Sequence, residues 1–242
     1  MEWLFAPMDA TRLHDVGWHL SWHARLMTLA WGVLVPLGIL SARYFKILPS
    51  QNWPQHLDNI AWWNMHRFCQ YSATLLMPIG LLFILTAPPL TIAPGPHWFL
   101  GWTVLCLAAL QILGAYLRGT KGGPSDLAKV GTLRGDHFDM TPRRLVFEYC
   151  HKILGYGALL LSVITILSGL WQANAPNWMW LTLMIWWVGL LCLAVLLQKK
   201  GMAVDTYQAI WGADPSLPGN ARKPIGWGIR RLDHSVDQQT RD

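Results

Sequence analysis

Five stretches of the chain are apolar over at least about 18 residues, the length at which a helix can cross a bilayer. They run from about Leu20 to Phe45, Trp62 to Ala87, His97 to Leu117, Arg144 to Trp171 and Trp178 to Gln198. Breakers mark several ends: Pro88 and Pro89 stop the second, and Arg118 with Gly119 closes the third. Pro36 and Gly38 predict a kink inside the first. The 43–67 loop is rich in turn residues, and Gly122, Gly123, Pro124 and Pro142 argue against regular structure from Gly119 to Pro142. Glycine and proline crowd the segment from Pro215 to Gly228, so residues 199–242 read as a solvated tail with one short helix. The expected fold is all-α, a polytopic membrane bundle of five transmembrane helices. Its parts are a lead (1–19), a membrane domain (20–198) and a tail (199–242).

Composition agrees. Of 242 residues, 53% are hydrophobic and 13% charged, about half the charged share of an ordinary soluble domain. The first residues hold Glu2, Asp9, Arg12 and Asp15, without the basic-then-apolar order of a cleavable signal, so none is expected. Cys69, Cys106, Cys150 and Cys192 fall within or beside apolar runs and are expected to be buried reduced thiols. No Cys-x-x-Cys pair suggests zinc or covalently attached haem. The pI near 9.3 reflects orientation rather than nucleic acid. Of the 19 Lys and Arg, only Arg12 and Arg25 lie on the face shared by the lead and the 87–97 and 172–177 connectors. The rest lie on the other, so the positive-inside rule puts the N-terminus outside and the C-terminus in the cytoplasm. Trp62, Trp63, Trp98, Trp102, Trp178 and Trp180 stand near span ends, as an interfacial aromatic belt does.

Four histidines open four of these spans: His23, His66, His97 and His151. The topology sorts them into one pair near each face, His23 with His97 outside and His66 with His151 inside, at levels about 20 Å apart. Two facing imidazoles can bind a metal, relay protons or hold a haem. Zinc wants four ligands, and neither level has a second pair. Room for a flat macrocycle is suggested by Gly101 and Gly155, four residues after His97 and His151, and by Ala30, Ala73 and Ala158, seven after His23, His66 and His151. Ionisable residues inside a membrane are functional candidates by default. Two b-type haems (iron protoporphyrin IX), each with two histidine ligands, are therefore expected. His19, one turn before His23, is a rival ligand or haem-carboxylate partner. His14, His56, His137 and His234 are expected to be solvated.

The stretch from Trp22 to Leu170 resembles the eukaryotic-type cytochrome b561 family, including the membrane domain found beside DOMON modules. The resemblance rests on His23, Met27, Pro36 and Gly38, then Trp62, Trp63, His66 and Gln70. It continues through His97, Gly101, Gln111 and Arg118, and ends on Tyr149, His151, Gly155, Tyr156 and Gly169-Leu170. It implies a four-helix di-haem core with the same histidine pairs, and electron transfer across the membrane from ascorbate to monodehydroascorbate or ferric chelates. The chain departs from the family in having five spans rather than six, in Pro94-Gly95-Pro96-His97-Trp98 where ascorbate-using members carry a serine-containing motif, and in Thr165 where an asparagine is expected.

Among the remaining candidates, Arg25 stands two residues after His23 on the charge-poor face and is expected to meet a haem propionate. Arg43 and Lys46 follow the first span and are candidates for propionates or an anionic reductant. Gln70 and Gln111 are intramembrane polar groups able to bond a haem or bridge helices. The expectation is an integral protein of a bacterial inner membrane, working as an oxidoreductase of the ascorbate or ferric-reductase kind. Its donor and acceptor are a quinol, an ascorbate-like reductant or a redox protein, and its partners include membrane lipid and a second copy of itself. The rival readings are a haem-bearing anchor subunit of a larger redox complex, a quinol- or superoxide-oxidising di-haem enzyme, and a proton-relay transporter.

Overall fold

The computed structural model describes residues 1–88, 95–123 and 134–232. Pro89, Pro94, Pro124 and His234, which entered the sequence argument, lie outside the described residues. The helices are α1 Glu2–Phe5, α2 Trp18–Met27, a π-helical turn Thr28–Leu34, α3 Val35–Tyr44, α4 Ala61–Leu85, α5 Pro96–Leu117, α6 Pro142–Gln172, α7 Asn177–Lys199 and α8 Thr206–Trp211. Five stretches, Trp18–Tyr44, α4, α5, α6 and α7, are long and apolar enough to cross a membrane. The outward faces of α4 and α5 are greasy: Phe68, Leu75 and Leu82 on one, Phe99 and Leu113 on the other, are exposed. Such surface is stable only in lipid. The chain is an integral membrane protein.

Two compact units can be distinguished. The first comprises Met1–Ile39, His66–Ala109 and Tyr156–Val195; the second comprises Leu40–Met65, Leu110–Gly155 and Leu196–Asp242.

In the first unit the core gathers Ala30, Trp31, Val35, Ala73, Met77, Val104, Ala158 and Ile166. The three alanines expected to make room for a macrocycle are here the close-packed centre, each fully or almost fully buried. The irregularity expected at Pro36 and Gly38 begins earlier, as the seven-residue π turn. Pro36 has no N–H to give the Gly32 carbonyl four residues back. That oxygen instead accepts the indole N–H groups of Trp186 (2.9 Å) and Trp187 (3.1 Å) from α7. The lead is also held. Asn174 Oδ1 accepts from Asp9 N (2.9 Å), and Asn174 Nδ2 donates to the carbonyls of Asp9 (2.9 Å) and Arg12 (2.7 Å).

In the second unit, residues 201–232 are not a solvated tail. Ala203, Val204, Tyr207, Gln208 and Ile225 are buried. Asp205 caps α8 by accepting from Tyr207 N, and its other oxygen takes Arg231 Nε at 2.8 Å. Tyr207 Oη donates to Phe138 O (2.8 Å), fastening α8 to the segment before α6. His137, expected in solvent, is only 2% exposed, between Tyr207 and Trp211. We call residues 200–232 the cap.

Two smaller expectations also change. Cys69 is buried, but Cys106, Cys150 and Cys192 are free thiols on exposed helix faces. Trp98, Trp102 and Trp178 are exposed near helix ends, whereas Trp62 is buried and its carbonyl accepts from Ser41 Oγ (3.1 Å).

Candidate functional site: histidines aimed by main-chain carbonyls

His23, in α2, donates from Nδ1 to Gly80 O of α4 at 2.9 Å. His97, in α5, donates from Nδ1 to Thr165 O of α6 at 2.9 Å. His66, in α4, donates from Nδ1 to Gly38 O of α3 at 3.0 Å. A carbonyl oxygen only accepts, so each bond fixes the proton on Nδ1 and leaves Nε2 with its lone pair outward. Imidazoles that bind metals are oriented in this way, and the second bond also raises the basicity of the ligand nitrogen.

The His23 and His97 rings stand with centroids 6.1 Å apart and planes at 89°. Two imidazoles binding one metal ion from opposite sides through nitrogens at about 2.0–2.1 Å place their centroids about 6.3 Å apart. The donors present therefore fit one iron between His23 and His97. Among the described residues there is no cluster of three or more His, Cys, Asp or Glu that could hold a metal by side chains alone. A site of two protein ligands suits a metal whose other positions are filled by a macrocycle.

Glycines make these approaches possible. A Cβ at Gly169 would stand 2.8 Å from His97 Cε1 and 3.0 Å from its Nδ1. A Cβ at Gly38 would stand 2.5 Å from Gln70 Nε2, and that amide donates to Val35 O at 3.3 Å. Gln70 thus bridges α4 to α3 beside the carbonyl that aims His66. At Gly101 a Cβ would meet no atom within 4 Å, and at Gly155 it would meet only Gln111 Nε2 (3.6 Å) and Cδ (4.0 Å).

His151 lies in the second unit and His66 in the first. Within its own unit the His151 ring stacks on Phe147, with centroids 5.1 Å apart and planes at 25°. Its main-chain oxygen accepts from Gln111 Nε2 at 3.0 Å.

The cations fall in different places. Arg25 is exposed with its guanidinium 5.3 Å above the Trp22 ring. Arg43 donates from Nη2 to Gln198 Oε1 (3.0 Å) and to Trp227 O (2.7 Å), and from Nε to Tyr44 Oη (3.1 Å). Lys46 is 5% exposed and donates to Val204 O at 3.0 Å. Burial, reinforced by Lys152, pushes its ammonium down to about 7. Both residues are thus bonded to the cap or to the end of α7. His14 and His56 are exposed as expected, and His19 is half-buried against Trp18.

Sequence reasoning missed Ser168 and the reason for Thr165. Ser168 Oγ donates to Thr165 O (2.8 Å) and lies 3.5 Å from His97 Nδ1. Because His97 uses the main-chain oxygen of Thr165, the side chain at that position can change without losing the contact.

Five apolar helical stretches, three of them carrying an imidazole bonded to a main-chain carbonyl, define the class: an integral membrane helical protein. Known proteins narrow this. A cytochrome b561, DM13 and DOMON domain-containing protein of Arabidopsis thaliana is 31% identical over 158 residues, 65% of this chain and 15% of its own. Ferric-chelate reductase 1 of Mus musculus is 30% identical over 157 residues, 62% of this chain and 22% of its own. A cytochrome b561 and DOMON domain-containing protein of Arabidopsis thaliana is 26% identical over 150 residues, 61% of this chain and 31% of its own. The chain thus spans less than a third of the length of these relatives. No family model and no solved structure matches it. Over about 60% of its length the chain is thus similar to proteins named for cytochrome b561 and for ferric-chelate reductase.

Proposed function

We propose that this chain conducts electrons across the membrane through two b-type haems, one held by His23 and His97 and the other by His66 and His151. The observation that carries the reading is the His23–His97 pair, two imidazoles 6.1 Å apart with both Nδ1 atoms bonded to main-chain carbonyls. The relatives named cytochrome b561 and ferric-chelate reductase support it. The second pair rests on the family resemblance and on the matching Nδ1 bond of His66.

His23 with His97, and His66 with His151, would each hold one such haem, which would supply a one-electron iron couple. The chain does the rest. Gly80, Gly38 and Thr165 fix the tautomer and the plane of three rings, so little rearrangement accompanies a change of charge. The apolar helices exclude water. Arg25, two residues from His23, is the cation assigned to a haem carboxylate on its face. Arg43 and Lys46 are assigned no such role, since their bonds go to the cap and the end of α7. The face that carries the cap is cytoplasmic in this reading, because it holds most of the Lys and Arg. Electrons pass between a small reductant, a quinol or a redox protein on one side and an acceptor on the other.

A pyridine haemochrome assay on purified protein should give two b haems per chain. His23→Ala and His97→Ala should each lose the same one, and His66→Ala and His151→Ala the other. Unchanged haem content in all four variants would end this reading.

A further inference from the structure

The cap contains a short turn, Gly226-Trp227-Gly228, that the electron-transfer reading does not use. Both glycines adopt positive φ, 116° and 64°, where a side chain is strained, and between them the Trp227 side chain is thrown outward. It is 88% exposed, against a usual preference of tryptophan for burial. The turn is not loose. Arg43 Nη2 donates to Trp227 O (2.7 Å) and Gln198 Nε2 donates to Gly228 O (2.7 Å). These two donors sit at the last turns of α3 and α7, the ends of two membrane helices. A large aromatic ring is thereby fixed at the height where apolar helix gives way to water.

The end of α7 and the cap are basic. Lys199, Lys200, Arg222, Lys223 and Arg230 are exposed, and Asp205, one of the cap's two acidic residues up to Arg231, is already paired with Arg231. A Cβ at Gly201 would stand 2.9 Å from Arg230 Cζ, so that guanidinium lies directly over the turn that follows Lys199 and Lys200. Among the described residues, the Lys199, Lys200, Arg222 and Lys223 side chains make no hydrogen bond or ion pair. Exposed cations at the end of α7 and in the cap, together with an exposed tryptophan tied to the ends of two apolar helices, match a headgroup layer, aromatic for the boundary and ammonium or guanidinium for phosphate.

We propose that the cap is a membrane-surface element: Trp227 inserts at the lipid boundary, and Lys199, Lys200, Arg222 and Lys223 bind the headgroups of anionic phospholipids. An acidic protein would satisfy the cations, but it would not account for an exposed indole held at the ends of apolar helices. The cap on this view docks against lipid as well as against its own helices, and the composition of that leaflet sets how firmly it is held. Neither half of this depends on the haem assignment.

The test uses the full-length protein in nanodiscs of phosphatidylcholine with and without phosphatidylglycerol, with amide hydrogen exchange followed across residues 221–232. Phosphatidylglycerol should slow exchange there by about tenfold at low salt, the factor expected if one or two of the four cations are engaged, and high salt should reverse it. Replacing Lys199, Lys200, Arg222 and Lys223 together by Gln should abolish the lipid dependence while leaving exchange in α6 and α7 unchanged. Trp227→Ala should speed exchange across residues 226–228 at least twofold in both kinds of disc, without disturbing the main-chain bonds to Arg43 and Gln198. Equal exchange with and without phosphatidylglycerol, or protection that appears only on adding an acidic protein, would overturn the proposal. Loss of haem in the histidine variants with the lipid effect intact would separate it from the electron-transfer reading.

Discussion

His97 shares its acceptor, whereas among the described residues the carbonyl that aims its proposed partner His23 takes no second side chain. Thr165 O receives both the His97 Nδ1–H and the Ser168 hydroxyl, while Gly80 O receives His23. A carbonyl already accepting one proton polarises a second donor less. Ser168→Ala should therefore strengthen the His97 bond, make the ring a more basic ligand and favour ferric iron. The expected outcome is a lower reduction potential for one of the two haems in a spectroelectrochemical titration, with haem content unchanged; a rise, or no shift, would remove Ser168 from the tuning of that site. Gly169 is a sharper constraint. With a Cβ due 2.8 Å from His97 Cε1, Gly169→Ala should push the ring away and cost one haem of the two by pyridine haemochrome.

Among the elements, the first span gives one main-chain acceptor to side chains of another helix. Pro36 leaves the Gly32 carbonyl without its usual helical donor, and the indoles of Trp186 and Trp187 take that place across the helix boundary. Replacing one tryptophan by Phe leaves one donor and should cost little. Replacing both strands a carbonyl in an apolar core, which costs about 1–3 kcal/mol. A thermal melt in detergent should therefore show a double variant less stable than the two single losses added together.

For the whole molecule, two buried groups packed under the cap, His137 and Lys46, make stability respond to pH. His137 is held neutral, pushed down to about 3 by burial first and then by Arg144, with Lys121 and Arg118 adding less; Glu148, with a carboxylate oxygen 3.8 Å from its Nε2, pulls the other way without overcoming burial. Trp211 Nε1 donates to its Nδ1 (3.3 Å), and Tyr207 packs edge-on. The unfolded chain binds a proton on this ring below about 6.5 and the folded chain does not until about 3, so stability must fall as pH drops through that interval. Lys46 acts in a higher window: its folded value near 7 lies below the free 10.5, so stability rises between them as the unfolded chain alone stays protonated. The melting temperature in detergent, followed from neutral pH to about 5, should fall in the wild type, and His137→Gln should flatten that acid limb.

The five spans were legible along the chain, with ends within a few residues of those observed, because lipid demands that each helix be apolar by itself and satisfy its own backbone. That His23, His66, His97 and His151 stand toward the N-terminal ends of four of these helices was legible for the same reason, since an imidazole stands out in such a run. The cap was not: its glycines and prolines look like a solvated tail, and what folds it is Tyr207 reaching Phe138, Lys46 reaching Val204 and Trp211 reaching His137, all far apart in sequence. Nor could composition say which carbonyl turns each imidazole. Local apolarity determined which residues enter the membrane; the packing of one helix on another chose Gly38, Gly80 and Thr165, because a main-chain oxygen carries no sequence signature and becomes a partner only when two helices meet.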